Sequence, residues 1–351
     1  MGFSRALCVK VRLWSFVLAA AWGGPSFVYA EEVRLPYRDV TITGAGSSFA
    51  APVYEGWGTA AFSQTKVHVN YQAIGSGAGQ DQVIAGTVDF GATDKPMGEV
   101  ALKKAGLYQF PTVMSGVVVI VHLKSVPRNT LRLDGPVLAG IYAGMITDWN
   151  DSRIQALNPD IKLPDEEIVP IHRADGSGTS YVFTSYLSLV SPEWKNHIGA
   201  GTLVEWPGGA GARGNDGIAA LVRQTEGSLG YVEFAYAEGN NLPVAKLKTH
   251  DGVFIEPNLE SLAKAASSAD WQESSGFTVS LLDQGGAGSW PIVSATYALV
   301  PLKAMKTAEG AGVRRFFQWG FEHGQEINSS LGYVGLPAKV QSAILVRWAD
   351  K

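Results

Sequence analysis

Cysteine is almost missing from this 351-residue chain, Cys8 being the only one. Beyond its first few residues the chain therefore has no disulfide framework, no thiol nucleophile and no cysteine metal site. Basic charge is scarce too: 28 Lys and Arg face 32 Asp and Glu, a formal net charge of −4. That balance offers no electrostatic footprint for nucleic acid or an anionic membrane. The six histidines (His68, His122, His172, His197, His250 and His323) lack paired ligand spacing, which argues against a metal centre. No Gly-Lys-Ser/Thr ending occurs after a Gly-rich stretch, so a P-loop is excluded. No apolar run past the N-terminal segment is long enough to span a bilayer.

The N-terminal segment reads as a secretory signal. Arg5, Lys10 and Arg12 precede an apolar run, Leu13 to Trp22, that is too short to cross a membrane. Val28-Tyr29-Ala30 ends on a small residue, which places cleavage after Ala30. An N-terminal anchor helix is the competing reading. The new first residue would be Glu31, not the cysteine a lipid anchor requires. Losing three cations leaves 25 Lys and Arg against 32 acids, a mature charge of −7. An anionic ligand would then be held by local dipoles, not by the overall field.

What the chain has is glycine, 41 of them, gathered with hydroxyl residues at particular turns. Arg173-Ala-Asp-Gly-Ser-Gly-Thr-Ser180 runs into Tyr181 to Val190, an apolar segment that reads as a helix. A helix start leaves backbone N–H groups unpaired, and with the positive end of the dipole these make an anion site. Ser177, Thr179 and Ser180 add hydroxyl donors. Arg173 adds a planar fork suited to a tetrahedral oxyanion, with Asp175 close enough to orient it. A plainly capped helix after a Gly turn would explain the serine equally well. The same pattern occurs twice more. Val40 to Thr43 reads as a strand entering Thr43-Gly-Ala-Gly-Ser-Ser-Phe-Ala-Ala-Pro52, where Ser47 or Ser48 can cap the following helix. Val67 to Ile74 alternates as a strand, and Ile74-Gly-Ser-Gly-Ala-Gly79 leads to a helical Gln80 to Ala85. One such βα turn is weak evidence, whereas three with hydroxyls point to a single converged anion site.

With these segments the chain resembles the phosphate-binding proteins of bacterial high-affinity phosphate importers, over essentially its whole mature length. The resemblance is carried by Thr43 to Tyr54, Asn70 to Gly79 and Val88-Asp-Phe-Gly-Ala-Thr-Asp94. It continues through Gln109-Phe-Pro-Thr-Val113, Arg173 to Ser180, Gly214-Asn-Asp-Gly-Ile-Ala-Ala220, Gly230-Tyr-Val-Glu-Phe-Ala-Tyr236 and Trp290-Pro-Ile292. It implies an α/β, bilobal periplasmic-binding-protein fold (type II), two α/β lobes joined by two crossover strands with the ligand in the cleft. Crossovers are expected near Phe110 to His122 and Trp290 to Pro301. These make lobe I residues 31–114 plus 290–351 and lobe II residues 115–289. The implied phosphate ligands are Ser48, Phe49 (through its N–H), Ser76, Asp94, Arg173, Ser177, Gly178 (through its N–H) and Thr179, with Asp175 orienting Arg173. Ser48 stands where the family usually has Thr, and His172 where a second arginine is common. The implied activity is phosphate capture in the periplasm by a monomer and delivery to the inner-membrane ABC permease, with no cofactor and no catalysis.

Asp94 is the discriminating residue of that set. Phosphate near neutral pH keeps a proton that Asp94 can accept, whereas sulfate has none and would face an unpaired buried carboxylate. Taken locally, Asp94 before Lys95-Pro96 reads as a surface turn. Other readings stand beside this one. Ser177 could be a nucleophile with His172 and Asp175, although Asp-Gly-Ser-Gly-Thr lacks the Gly-x-Ser-x-Gly elbow. Trp206 to Gly214 reads as a mobile loop near the cleft mouth. The ten tryptophans are scattered and read as core, not as sugar platforms. The runner-up function is the same fold binding another tetrahedral oxyanion or an organic phosphate.

Overall fold

The expected strand–turn–helix units form where the sequence places them. β1 (Val40–Gly46) lies between β2 (Val67–Gln72) and β3 (Phe90–Thr93), parallel to both. Helices Ala51–Thr65 and Ser76–Ala85 make the two connections, because parallel neighbours need a crossover and not a hairpin. Gly44 is required where β1 meets β3: a Cβ there would lie 2.1 Å from the Phe90 ring. This computed structural model describes residues 37–267, 269–271 and 277–349, so the expected signal segment lies outside the described residues.

β4 (Leu107–His122) is 16 residues long and buried at every position but the last. A continuous apolar run such as Val117 to Val121 is what a strand covered on both faces needs. β5 (Arg132–Leu133) opens a small separate sheet. β6 (Val169–Arg173), β7 (Ala210–Ala212) and β8 (Ser228–Glu233) build a second main sheet, with β6 parallel to both β7 and β8. β9 (Lys246–Lys248) and β10 (Phe254–Ile255) join β5. β11 (Leu281–Leu282), β12 (Ile292–Pro301) and β13 (Val334–Gly335) return to the first sheet. β12 runs antiparallel to β3 and to residues Leu107 to Gly116 of β4, while β8 runs antiparallel to Val117 to His122. β4 thus changes partner between Gly116 and Val117, and one strand belongs to both lobes of a bilobal α/β fold. Of the two expected crossover segments, β4 pairs with strands of both sheets, whereas every pairing of β12 lies within the first sheet.

Each lobe has an aromatic core. Tyr54, Trp57, Phe90, Phe316 and Phe317 pack largely edge to face in the first; in the second, Tyr142, Phe183, Trp194, Trp206 and Tyr231 combine edge-to-face, tilted and stacked contacts. Trp57, Trp149, Trp194 and Trp290 are fully buried, as the core reading of the tryptophans expects, and each indole N–H has an acceptor. The Trp290 indole donates to the Val117 carbonyl at 2.9 Å, pinning the start of β12 where β4 crosses over.

Candidate functional site

Three turns converge between the lobes. The first follows β1. Neither Ser47 nor Ser48 caps helix Ala51–Thr65, contrary to expectation; Ala50 occupies that position with no side-chain bond. Ser47 is drawn away because its hydroxyl meets both oxygens of Asp94, at 2.8 and 2.6 Å. The Phe49 N–H donates to Ser47 Oγ at 2.9 Å. Three tyrosines hold the carbonyls of this turn in succession: Tyr71 donates to Ser47 O at 2.7 Å, Tyr236 to Ser48 O at 2.8 Å and Tyr333 to Phe49 O at 2.6 Å. Burial pushes all three phenols well above their usual range, so they remain donors at neutral pH.

The second turn carries Gly75 and Ser76, with Gly75 at a φ of 93° that favours glycine. Ser76 Oγ lies 3.4 Å from Asp94 Oδ2 and accepts the Asp94 N–H at 3.2 Å. Asp94 follows β3 directly. Its side chain is buried, not on a surface turn. Thr296 of β12 donates to Asp94 Oδ1 at 2.6 Å. Burial raises the Asp94 carboxyl to about 6; hydroxyl bonds and the Arg173 charge pull the other way and only partly offset it. At neutral pH it is therefore mostly a carboxylate, with Oδ2 close to the start of helix Gly178–Val190.

The third turn follows β6. Arg173 is 2% exposed. Its Nε and Nη2 grip the two oxygens of Asp175 at 2.7 and 2.5 Å, and Nη1 reaches Thr179 Oγ1 at 3.4 Å. Asp175 thus fixes one edge of the guanidinium and leaves the Nη1 side toward the cleft. Ser177 caps helix Gly178–Val190 by accepting the Ser180 N–H at 3.0 Å. The N–H groups of Gly178 and Thr179 open that helix and have no partner within it. Glycine at 178 lets the helix start approach the opposite lobe. A Cβ there would fall 2.2 Å from Ser76 Oγ and 2.3 Å from Asp94 Oδ2. The lobes also meet at Gly77, whose N–H donates to Gly176 O at 2.8 Å. Contacts between the lobes thus link Ser48 to Thr179 through Asn215, and set Ser76 and Asp94 against Gly178, with Arg173 and Asp175 behind Thr179; Ser177 serves as the helix cap, and the Phe49 N–H expected to face a ligand is given to Ser47.

Residues 36–322 match the PBP superfamily domain. A phosphate-binding protein PstS of Haemophilus influenzae is 45% identical over 315 residues, which cover 90% of this chain and 94% of that protein. One from Xylella fastidiosa (strain Temecula1) is 44% identical over 314 residues, covering 90% and 86%. The chain belongs to the PstS family. Among solved structures, a phosphate-binding protein of Stenotrophomonas maltophilia superposes with a TM-score of 0.68 at 19% identity, covering 88% of this chain and 94% of that one. A Clostridium perfringens substrate-binding protein solved with bound phosphate gives 0.62 at 21% identity, over 85% and 100%. At such identities these two speak for the fold alone.

Against this PstS frame, sequence reasoning missed several side chains. Asn215, at the start of helix Gly214–Gln224, donates through Nδ2 to Ser48 Oγ at 2.9 Å and to Thr179 Oγ1 at 3.4 Å, tying the two lobes together. The motif Gly214-Asn-Asp-Gly was visible, but nothing local said that its Asn turns inward. Thr296 is 202 residues from Asp94 and sits in a run legible only as a strand. The Trp206 to Gly214 segment is also not a free loop: Ala210 to Ala212 form β7, and the Gly214 N–H donates to Asp175 Oδ1 at 3.3 Å. Side chains alternate along β6, so His172 turns away from Arg173. Its ring stacks on Trp206 with centroids 5.0 Å apart, and its Nδ1 lies 3.3 Å from Arg173 O. The serine–histidine pairing considered from sequence does not form.

Proposed function

We propose that this protein captures inorganic phosphate in the cleft between its lobes and hands it to the membrane permease of an ABC importer. The observation that carries this is the opposition of Asp94 to Arg173 and the Gly178 helix start, all buried. An oxyanion with a residual proton satisfies both walls at once. It accepts from Arg173, from the Gly178 and Thr179 N–H groups and from the hydroxyls of Ser48, Ser76, Ser177 and Thr179, and it donates to Asp94. A fully ionised oxyanion would leave the carboxylate facing it without a proton to accept, which gives selectivity. The PstS relatives, named for phosphate binding, support the reading.

Residues 31–114 plus 290–351 and residues 115–289 are the two lobes of this proposal; the first boundary lies close to where β4 changes sheets, whereas Leu281 and Leu282, inside the second range, pair with β12 in the first sheet. The protein acts as a periplasmic monomer, exported by cleavage after Ala30 without a lipid anchor, and performs no catalysis. Calorimetric titration of phosphate-stripped residues 31–351 with phosphate, sulfate and arsenate tests it. Tight one-to-one phosphate binding without sulfate heat is expected. Sulfate heat with little from phosphate would make the role given to Asp94 wrong, and no heat with any anion would sink the phosphate reading.

A further inference from the structure

Glu233 is the last residue of β8, paired with Val117 where β4 passes from one lobe to the other, and it is fully buried. Its carboxyl oxygens have unlike surroundings. Oε1 accepts two donors, Ser115 Oγ at 2.6 Å and the Ala235 N–H at 3.0 Å. Oε2 faces only the Tyr333 hydroxyl, at 3.0 Å. That hydroxyl also lies 2.6 Å from the Phe49 carbonyl. A phenol has one proton, and a carbonyl oxygen can only accept. The proton belongs on the shorter contact, to Phe49, so the Oε2 contact is a hydrogen bond only if Glu233 donates. An ionised Glu233 would either face a lone pair or draw the Tyr333 proton away from the Phe49 carbonyl, and would hold its charge buried beside Asp94 and the Tyr236 and Tyr333 phenols. Those are the titratable groups that act on it, and none is a cation.

We infer that Glu233 is a positioning residue that works as a neutral carboxylic acid, passing a hydrogen bond through Tyr333 to the Phe49 turn and so coupling the inter-lobe crossover to the ligand cleft. A second connection starts at the same residue. The Glu233 N–H donates to Asn215 Oδ1 at 3.1 Å, and the amide nitrogen of Asn215 reaches Ser48 and Thr179. Glu233 thus supports Ser48 and Phe49 of the first turn from one point beside the crossover strand. Burial raises its carboxyl to about 8, in accord with the geometry; the Ser115 and Ala235 bonds lower it only in part. The inference rests on the phosphate reading for its effect on binding, but not for the protonation state.

Glu233→Gln replaces the acid by a group that is always a donor at one end and an acceptor at the other. Phosphate affinity of this variant should stay within about twofold of wild type at pH 7. Above pH 8 the two should diverge, wild type falling about tenfold below the variant by pH 9 as the competent, protonated fraction shrinks. Comparing the two chains cancels the titration of phosphate itself. Parallel profiles to pH 9 would overturn the inference. Infrared difference spectroscopy of the ligand-free protein at pH 7 gives an independent reading. A protonated-carboxylic-acid band should be present in wild type, absent in Glu233→Gln and shifted in Tyr333→Phe, which keeps the carboxyl and serves if the Gln variant fails to fold. No such band refutes a neutral Glu233, and one unmoved by Tyr333→Phe refutes its donation to Tyr333; either overturns the inference. A wild type that shows the band but binds no phosphate would instead count against the proposed function.

Discussion

The two walls of the cleft are built in opposite ways. The lobe II wall is local: Arg173, Asp175, Ser177, Gly178 and Thr179 lie within seven consecutive residues, and their bonds to one another span at most six. The lobe I wall is assembled from distant chain. Asp94 is held by Ser47, 47 residues before it, by Ser76, 18 residues before it, and by Thr296, 202 residues after it. One wall is a strand-to-helix turn that brings its own donors. The other is a buried carboxylate whose solvation shell has been replaced by hydroxyls from three elements. A local wall can be ready before the domain closes around it, whereas a distributed wall exists only in the folded state, so the two should fail differently.

The largest effect is expected on the local wall. Arg173→Ala leaves Asp175 as an uncompensated buried charge, which typically costs about 3–5 kcal/mol of stability. It also removes the only cation placed against the ligand in the proposed scheme. Thermal or denaturant unfolding together with phosphate titration should show both losses. A variant that kept wild-type stability would mean that Asp175 does not depend on the pair.

Asp94→Asn sharpens the contrast from the other side. A carboxyl raised from 3.8 to about 6 stays protonated in the fold at pH values where the unfolded chain has lost its proton. Its contribution to stability is therefore full below pH 3.8, falls as pH rises through 6, and is gone above that, an amplitude of about 3 kcal/mol. Subtracting the pH profiles of wild type and Asp94→Asn, both free of phosphate, isolates this slope from that of Glu233. No difference in slope between pH 4 and 6 would show that burial does not govern Asp94. In competition titrations the same variant should lose discrimination against sulfate more than it loses phosphate affinity.

That contrast also governs what the sequence reveals. The Arg173 turn is legible because its logic is local: a strand, a small-residue turn, a hydroxyl cap and a helix in one window. The Ser76 turn is legible for the same reason. Asp94 reads locally as a surface turn, and only resemblance across the chain turns it inward. Either Ser47 or Ser48 can cap a helix on local grounds, because capping is what a serine does for its neighbours; the partner of Ser47 is a carboxylate brought up by β3. Thr296, Asn215 and the tyrosines at 71, 236 and 333 leave no local signature, since each acts on a turn far away in sequence. The same holds for the fold. β4 and β12 were visible as strands, but the change of partner at Gly116 and Val117 is a property of sheet pairing, which no window of residues contains.

Where the two walls approach, at Gly178, the comparison can be broken sterically. Gly178→Ala puts a Cβ against Ser76 and Asp94 while sparing every polar group of either wall. Overpacking of this kind costs about 1–3 kcal/mol, here chargeable to the state in which the lobes meet, so phosphate affinity should fall roughly ten- to a hundredfold. Unfolding of the ligand-free protein should change less, because an opened cleft relieves the contact. Equal losses in both would mean that the lobes do not separate.

Thr296→Val is the smallest and most specific probe. It keeps the shape and removes one hydroxyl, so Asp94 Oδ1 keeps Ser47 and loses the donor from β12. The usual net worth of one hydrogen bond is about 1 kcal/mol, and up to about 3 when the acceptor is charged. Since the bond favours the charged carboxyl, losing it raises the Asp94 midpoint further above 6. The slope in the stability profile should then extend to higher pH, a change that loss of packing alone would not produce. An unchanged midpoint would assign the solvation of Asp94 to Ser47 and Ser76, making the distributed wall a matter of lobe I's own first two turns.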